Sequence, residues 1–336
     1  MELEAKTRGA RVRGCLRSAL LAVVLLLVVV AGLGFLALPG TLPTEPQLPG
    51  RLERGTLEHG GRTRTWIAYL PTNPRARPPL VIVLHASMGT AERARRVYGF
   101  DFDRLAEEHG FFAVYPQGYE GHWNDCKKKG PFAAKAENVD DVGFLHALVD
   151  RLVEDHGADR AHVYVTGVSN GGGMTLRLAL QTPDFARAYA SVISSVPTPE
   201  NMAMQPKGEP VSVLLMNGTD DPMNPWGGGN VELYGVWGNR GPVLSAQGSV
   251  EYFLKLDGLG GPPATTQIPD TDSSDGSTAE RRRWSAPGKR TVELIEVQGG
   301  GHAVPHPSTH GPRLLGSSNR DFHAAREIWD FFQQAP

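Results

Sequence analysis

Apolar residues along this chain fall into two regular patterns, broken by polar stretches. The first is an uncharged apolar stretch over residues 18–38, preceded by Lys6, Arg8, Arg11, Arg13 and Arg17. As a helix rising about 1.5 Å per residue, these roughly 21 residues match a hydrocarbon core about 30 Å thick. That is longer than the apolar region of a secretory signal peptide, and the small-residue positions near Gly34 and Ala37 make only weak cleavage sites. The pattern predicts an uncleaved signal anchor, with a cleaved signal peptide as the alternative. In either case the basic residues hold 1–17 in the cytoplasm and send the rest of the chain across the membrane.

The second pattern begins after a hairpin signal, in which His59-Gly60-Gly61 is the turn and Trp66 to Leu70 the second strand. Short apolar runs then follow at Pro79–His85, Phe111–Tyr115, His162–Thr166, Tyr189–Ile193, Val211–Met216 and Thr291–Val297. They are near-continuous rather than alternating, as in strands buried on both faces. Between them Val142, Leu145, Leu148, Val149 and Leu152 recur at helical spacing, as do Met174, Leu176 and Leu180. A last helix fits Phe322 to Phe332. Strands alternating with helices predict an α/β fold, a mostly parallel sheet with helices on both faces. The polar segment from Gly258 to Lys289 reads as an interruption of this order.

Composition adds the boundaries. Pro39, Pro43, Pro46 and Pro49 make residues 39–50 an extended stalk that no helix can traverse, leaving 51–336 as one catalytic domain. A net charge of −2 with 21% charged residues provides no basic surface for nucleic acid. The two cysteines, Cys15 and Cys126, lie on opposite sides of the expected span, so an intradomain disulfide is excluded. Asp270, Asp272 and Asp275 resemble a calcium loop, but the third Asp and Gly276 come one residue late and no Glu stands at the twelfth position. A solvated Asx-rich turn is expected instead.

Candidate chemistry sits on the loops after the predicted strands. Gly167-Val168-Ser169-Asn170-Gly171 fits G-x-S-x-G between a buried strand and a helix start, the setting of a nucleophile elbow. His302 follows the last strand on the glycine-rich loop Gly299-Gly300-Gly301, where a general base belongs. His306 and His310 share a four-residue spacing with it, but Pro305 and Pro307 prevent the helix that a zinc site at this spacing would need, and the outer two histidines are expected on the surface. Asp220 and Asp221 both follow the strand ending at Met216, and the residues alone leave the orienting acid open between them. The order Ser, Asp, His is that of α/β-hydrolases. The oxyanion hole would take the backbone N–H of Asn170 and one from His85-Ala86-Ser87-Met88-Gly89, with Ser87 chosen.

From about Leu52 to Phe332 the sequence resembles the polyhydroxyalkanoate depolymerase and feruloyl esterase group of α/β-hydrolases, which includes acetylxylan esterases. The resemblance rests on Leu84-His85, Tyr115-Pro116-Gln117-Gly118, Trp123-Asn124-Asp125, Val139-Asp140-Asp141-Val142-Gly143-Phe144, the elbow, Gly218-Thr219-Asp220-Asp221-Pro222 and Gly300-Gly301-His302. It implies Asp221 as the acid, no cofactor, and an ester of a hydroxycinnamate, an acetylated polysaccharide or a hydroxyalkanoate. Three positions depart from the group: Ala86 where relatives have Gly, Asn217 where they have His, and Val304 where they have Trp. The resemblance also implies that Cys126 has lost a partner at the position of Ser87. Trp123 and Trp226 are candidate substrate contacts, the latter in the aromatic, glycine-rich segment from Asn224 to Pro242. The expected protein is therefore an extracytoplasmic serine esterase. A non-catalytic, membrane-tethered binding protein and a serine peptidase of the same fold are its rivals, and the oligomeric state is not readable.

Overall fold

The structure, a computed structural model, describes residues 23–32, 34 and 40–336. The expected span over 18–38 lies partly outside the described residues; those described within it are helical, with exposed side chains over Val23–Val30. Among the described residues no helix is long and apolar enough to cross a membrane. The described residues up to Gly40 with 312–314 belong to one unit, and residues 41–311 with 315–336 form the other, which carries everything below.

In chain order the strands are β1 (Arg51–His59), β2 (Arg62–Leu70), β3 (Leu80–Leu84), β4 (Phe112–Pro116), β5 (Val163–Val168), β6 (Ala188–Val192), β7 (Ser212–Gly218), β8 (Gly229–Asn230), β9 (Pro242–Val243), β10 (Ala264–Ile268), β11 (Thr278–Trp284) and β12 (Val292–Gln298). All but β8 and β9 join one sheet in the order β1-β2-β4-β3-β5-β6-β7-β12-β11-β10. Its centre, from β4 to β12, is parallel, and it consists of the six apolar runs. Antiparallel pairs close both edges.

The helices are α1 (Ala91–Val97), α2 (Asp101–His109), α3 (Ala133–Ala136), α4 (Asp141–His156), α5 (Asn170–Gln181), α6 (Ala246–Asp257) and α7 (Ala324–Gln334). Alternate residues of the central strands feed two cores. Leu80, Ile82 and Leu84 of β3 pack with α4, α5 and α6, while Val81 and Val83 pack with α1, α2 and α7. This two-sided burial is why the strands read as unbroken apolar runs. Side-chain caps start α4 (Asp140 accepts from the Gly143 amide) and α6 (Ser245 from the Gly248 amide), and Gly157 and Gly258 end them.

One expectation is corrected here. The polar segment Gly258–Lys289 holds two edge strands, β10 and β11. Their polar side chains are matched across the sheet, with Arg282 to Glu296 at 2.7 Å and Arg283 to Glu293 at 3.0 Å. Charges satisfied by cross-strand pairing do not produce the apolar signature by which the other strands were recognised. Between these strands the Asx-rich turn forms as expected: Asp275 accepts from the amides of Ser277 and Arg320, and Asp272 from that of Ser274.

Candidate active site

β5 runs out at Val168, and α5 begins at Asn170, so Ser169 must reverse the chain in one residue. It does so with φ 55° and ψ −111°, a strained conformation for a residue with a side chain. The turn closes only because its neighbours lack side chains. A Cβ on Gly167 would lie 2.3 Å from the Gly171 carbonyl oxygen, and one on Gly171 would lie 2.3 Å from that of Leu84. This tight corner lifts the serine to the carboxyl edge of the sheet.

The loops after β7 and β12 bring the other two residues to it. His302 Nε2 stands 2.9 Å from Ser169 Oγ, and His302 Nδ1 stands 2.7 Å from Asp221 Oδ2. The other carboxylate oxygen, Oδ1, accepts the amides of Met223 and Asn224, both at 2.8 Å. A carboxylate only accepts, so Nδ1 carries the ring hydrogen and Nε2 presents its lone pair to the serine hydroxyl. All three residues are buried, and the loop holding His302 is pinned by Gly301 and His302 amides donating to Ser317 and Leu315 carbonyls. The geometry also separates the two adjacent acids. Asp220 is exposed, accepts from the Thr219 hydroxyl at 2.9 Å, and does not meet the histidine.

The loop after β3 is held by His85. Its Nε2 accepts the Gly118 amide at 2.9 Å and its Nδ1 donates to the Ala86 carbonyl at 2.8 Å, a pattern that only a neutral ring can make. Burial pushes its pKa down to about 4. Ser87 follows, and its Oγ is buried without a hydrogen-bond partner.

Two side chains, Trp123 and His306, stand elsewhere than expected. Trp123 is fully buried, and its indole N–H donates to the His85 carbonyl at 3.0 Å, so it braces the site from beneath instead of lining it. Trp226 packs partly buried against a core cluster. The exposed aromatics of that segment are Tyr234 and Trp237, on a tight turn whose Tyr234 amide donates to the Pro222 carbonyl beside Asp221. Val304 is buried in the core among Val297 and Phe322. His306, expected at the surface, is 4% exposed and meets Asp101 Oδ2 at 3.2 Å, which His323 also reaches at 2.6 Å. Among the described residues this trio is the grouping that could hold a cation. The Ser308 amide, however, donates to His306 Nδ1 at 3.0 Å, which leaves the ring hydrogen on Nε2 and no lone pair there for a cation, and Nε2 makes no hydrogen bond itself. The trio thus ties the loop after His302 to the starts of α2 and α7. No periodicity marks such a contact in the sequence.

A cleft of about 560 Å³ bordered by Arg54, Trp66, Glu92, Gln117 and Arg151 lies on the β1–β2 side and includes none of Ser169, Asp221 and His302.

The chain is similar to known proteins. The profile of the family described as Esterase PHB depolymerase matches residues 65–203. NocK of Nocardia uniformis subsp. tsuyamanensis, which is named as an esterase, is 30% identical over 280 residues, covering 81% of this chain and 79% of that protein. The poly(3-hydroxybutyrate) depolymerase of Ralstonia pickettii is 29% identical over 259 residues; the match takes in 71% of this chain and 51% of that relative, about half its length. The acetyl xylan esterase from Aspergillus awamori superposes with a TM-score of 0.55 at 16% identity, over 84% of this chain and 99% of that one, a likeness of fold.

Proposed function

Given that the chain belongs to the PHB-depolymerase esterase family of α/β-hydrolases and is an esterase of that type, we propose that Ser169, His302 and Asp221 are its catalytic triad and that it cleaves carboxylic esters through an acyl-enzyme. The observation that carries this reading is the unbroken line of contacts from Ser169 Oγ to His302 to Asp221.

In this mechanism His302 Nε2 takes the hydroxyl proton as Ser169 Oγ attacks the ester carbonyl, and Asp221 holds the imidazolium that results. The amides of Asn170 and Ser87 receive the developing oxyanion. Collapse of the tetrahedral intermediate breaks the bond to the alcohol, which leaves with the proton from His302. Water then attacks the acyl-enzyme with His302 again as base, and the carboxylic acid departs. The unpaired Ser87 Oγ supports placing the substrate carbonyl against this loop, since a buried hydroxyl left without a partner is a group waiting for one. No step requires a cofactor.

The substrates proposed are acetylated polysaccharide or hydroxyalkanoate esters, as the names of the relatives suggest, or feruloyl esters, as the sequence resemblance implies. The basic N-terminus and the apolar stretch over 18–38 support an extracytoplasmic domain tethered through that segment, or released if it is cleaved. Proteolysis of the domain by protease added to intact cells tests this placement. For the chemistry, Ser169→Ala should lower turnover of p-nitrophenyl acetate by about 10⁶-fold and abolish fluorophosphonate labelling while the protein stays folded. Retained labelling would assign the nucleophile elsewhere. A panel of methyl ferulate, acetylated xylan and hydroxybutyrate oligomers then ranks the substrates.

A further inference from the structure

Asn170, directly after the proposed nucleophile, has both side-chain donors and its carbonyl oxygen engaged. Its Oδ1 accepts the Trp123 amide at 2.7 Å, and its Nδ2 donates to the Trp123 carbonyl at 3.1 Å and to Asp125 Oδ2 at 2.9 Å. Asn170 is thereby bolted to one short segment, Trp123–Asp125. Its own amide stands at the first position of α5, where no helical carbonyl can take it.

The same segment reaches the other side of the proposed oxyanion hole. Trp123 donates its indole N–H to the His85 carbonyl and sets its ring 5.0 Å from the His85 imidazole. Trp123 therefore spans from the residue carrying one proposed oxyanion donor, Asn170, to the loop carrying the other, Ser87.

Asp125 is the fixed end of this strut. It is fully buried and meets Lys127 Nζ at 2.8 Å and Lys135 Nζ at 2.6 Å. Gly173 on α5 leaves the room, because a Cβ there would lie 2.7 Å from both Asp125 Oδ2 and Lys127 Nζ. Burial alone would raise the carboxyl pKa, but the two ammonium groups hold it well below the ordinary range, so Asp125 stays a charged acceptor for Asn170.

We infer that Asp125 is a positioning residue for the oxyanion hole: it orients the Asn170 side chain, which in turn holds Trp123 and with it the separation of the two amide donors. The inference rests on the function proposed above. Deleting an oxyanion donor outright costs about 100-fold to 1000-fold in turnover, and misaiming one should cost about 10-fold to 100-fold.

Asp125→Asn, Asn170→Ala and the double variant test it, with kcat and KM for p-nitrophenyl acetate, the Ki of a trifluoromethyl ketone that forms a hemiketal on the serine, and the melting temperature. In each single variant kcat should fall by about 10-fold to 100-fold with KM nearly unchanged, and the ketone should bind more weakly by a similar factor. The double variant should be no worse than Asn170→Ala, because Asp125 acts through Asn170. A role confined to stability would move the melting temperature and leave the ketone affinity alone, overturning the inference. Fully additive losses, or an unchanged kcat in folded Asp125→Asn, would do the same. If Asp125→Asn does not fold, Asn170→Ala decides, since it leaves the buried charges paired; wild-type kcat and Ki there would also overturn it. Activity surviving in Ser169→Ala would instead mark failure of the function itself.

Discussion

The two sides of the proposed catalytic centre are built in opposite ways. On the elbow side, Ser169, Asn170, Trp123, Asp125 and His85 are buried and joined by hydrogen bonds that leave almost no polar group unused. On the other side, the segment after Asp221 turns outward and exposes Tyr234, Val236 and Trp237, the last at 74%. Both sides meet at the triad. In the proposed function the contrast gives them different work: the buried side holds the reacting atoms and donors in fixed relation, and the outward-turned segment meets the rest of the substrate.

If that division is right, the largest effect should come from breaking the rigid geometry at the acid. Asp221→Asn should lower kcat for p-nitrophenyl acetate by about 10⁴-fold, because an amide at that position no longer selects the Nδ1–H tautomer of His302. Asp220→Asn, at an exposed carboxylate, should stay within about 3-fold of wild type, since surface changes of this kind perturb little. Equal losses in the two variants would remove the distinction between a locked and a free side.

A smaller effect should appear in the pH dependence of stability. An unfolded histidine titrates near 6.5, whereas His85 in the fold titrates at about 4 because burial penalises its charged form. Between those values the unfolded chain binds a proton that the folded one does not. Stability contributed here is therefore intact above about pH 6.5 and falls as the pH drops towards 4, by roughly 3 kcal/mol in all. Calorimetric melting from pH 7 to pH 4.5 should show the fall, and His85→Gln should flatten it. A curve identical in the variant would mean that the loop after β3 is not anchored through a neutral imidazole.

On the exposed side Trp237→Ala should leave p-nitrophenyl acetate hydrolysis unchanged and raise KM by about 3-fold to 10-fold for a long hydroxybutyrate oligomer, the range expected for losing one aromatic contact. If the small substrate suffers equally, the segment takes part in the chemistry after all. The smallest effect is expected at Cys126, which burial pushes up to about 11. The native protein should not react with a thiol reagent at pH 8 at this residue, and labelling should appear only on unfolding.

The parts of the molecule legible in the sequence are those whose physical cause is local. Val163–Val168 and the other central strands are apolar at every position because both faces of each are covered, and a run of that kind needs no knowledge of its neighbours. The elbow was legible for a related reason: a strand ending in a glycine-flanked serine before a helix start describes a one-residue reversal that only small neighbours allow. β11 was missed because its arginines are neutralised by glutamates on β12 and α7, partners that lie on other elements and leave no apolar pattern within the strand itself. His306 and Trp123 were misplaced for the same reason. One is drawn inside by Asp101 and the other by the His85 carbonyl, over 200 residues away and 38 residues away respectively.

The sequence by itself determined the α/β architecture, the elbow at Ser169, the loop carrying His302 and the pair of carboxylates from which the acid had to come, because periodicity, turn sterics and chain order act over a few residues at a time. Between Asp221 and Asp220 the residues alone left the choice open and family resemblance pointed to Asp221; only the tertiary structure put Asp221 in contact with His302, turned Trp123 inward, and joined Asp125 to Asn170. Those outcomes depend on where hydrogen-bond donors and charges from remote segments come to rest, and a buried polar group settles wherever its partners are.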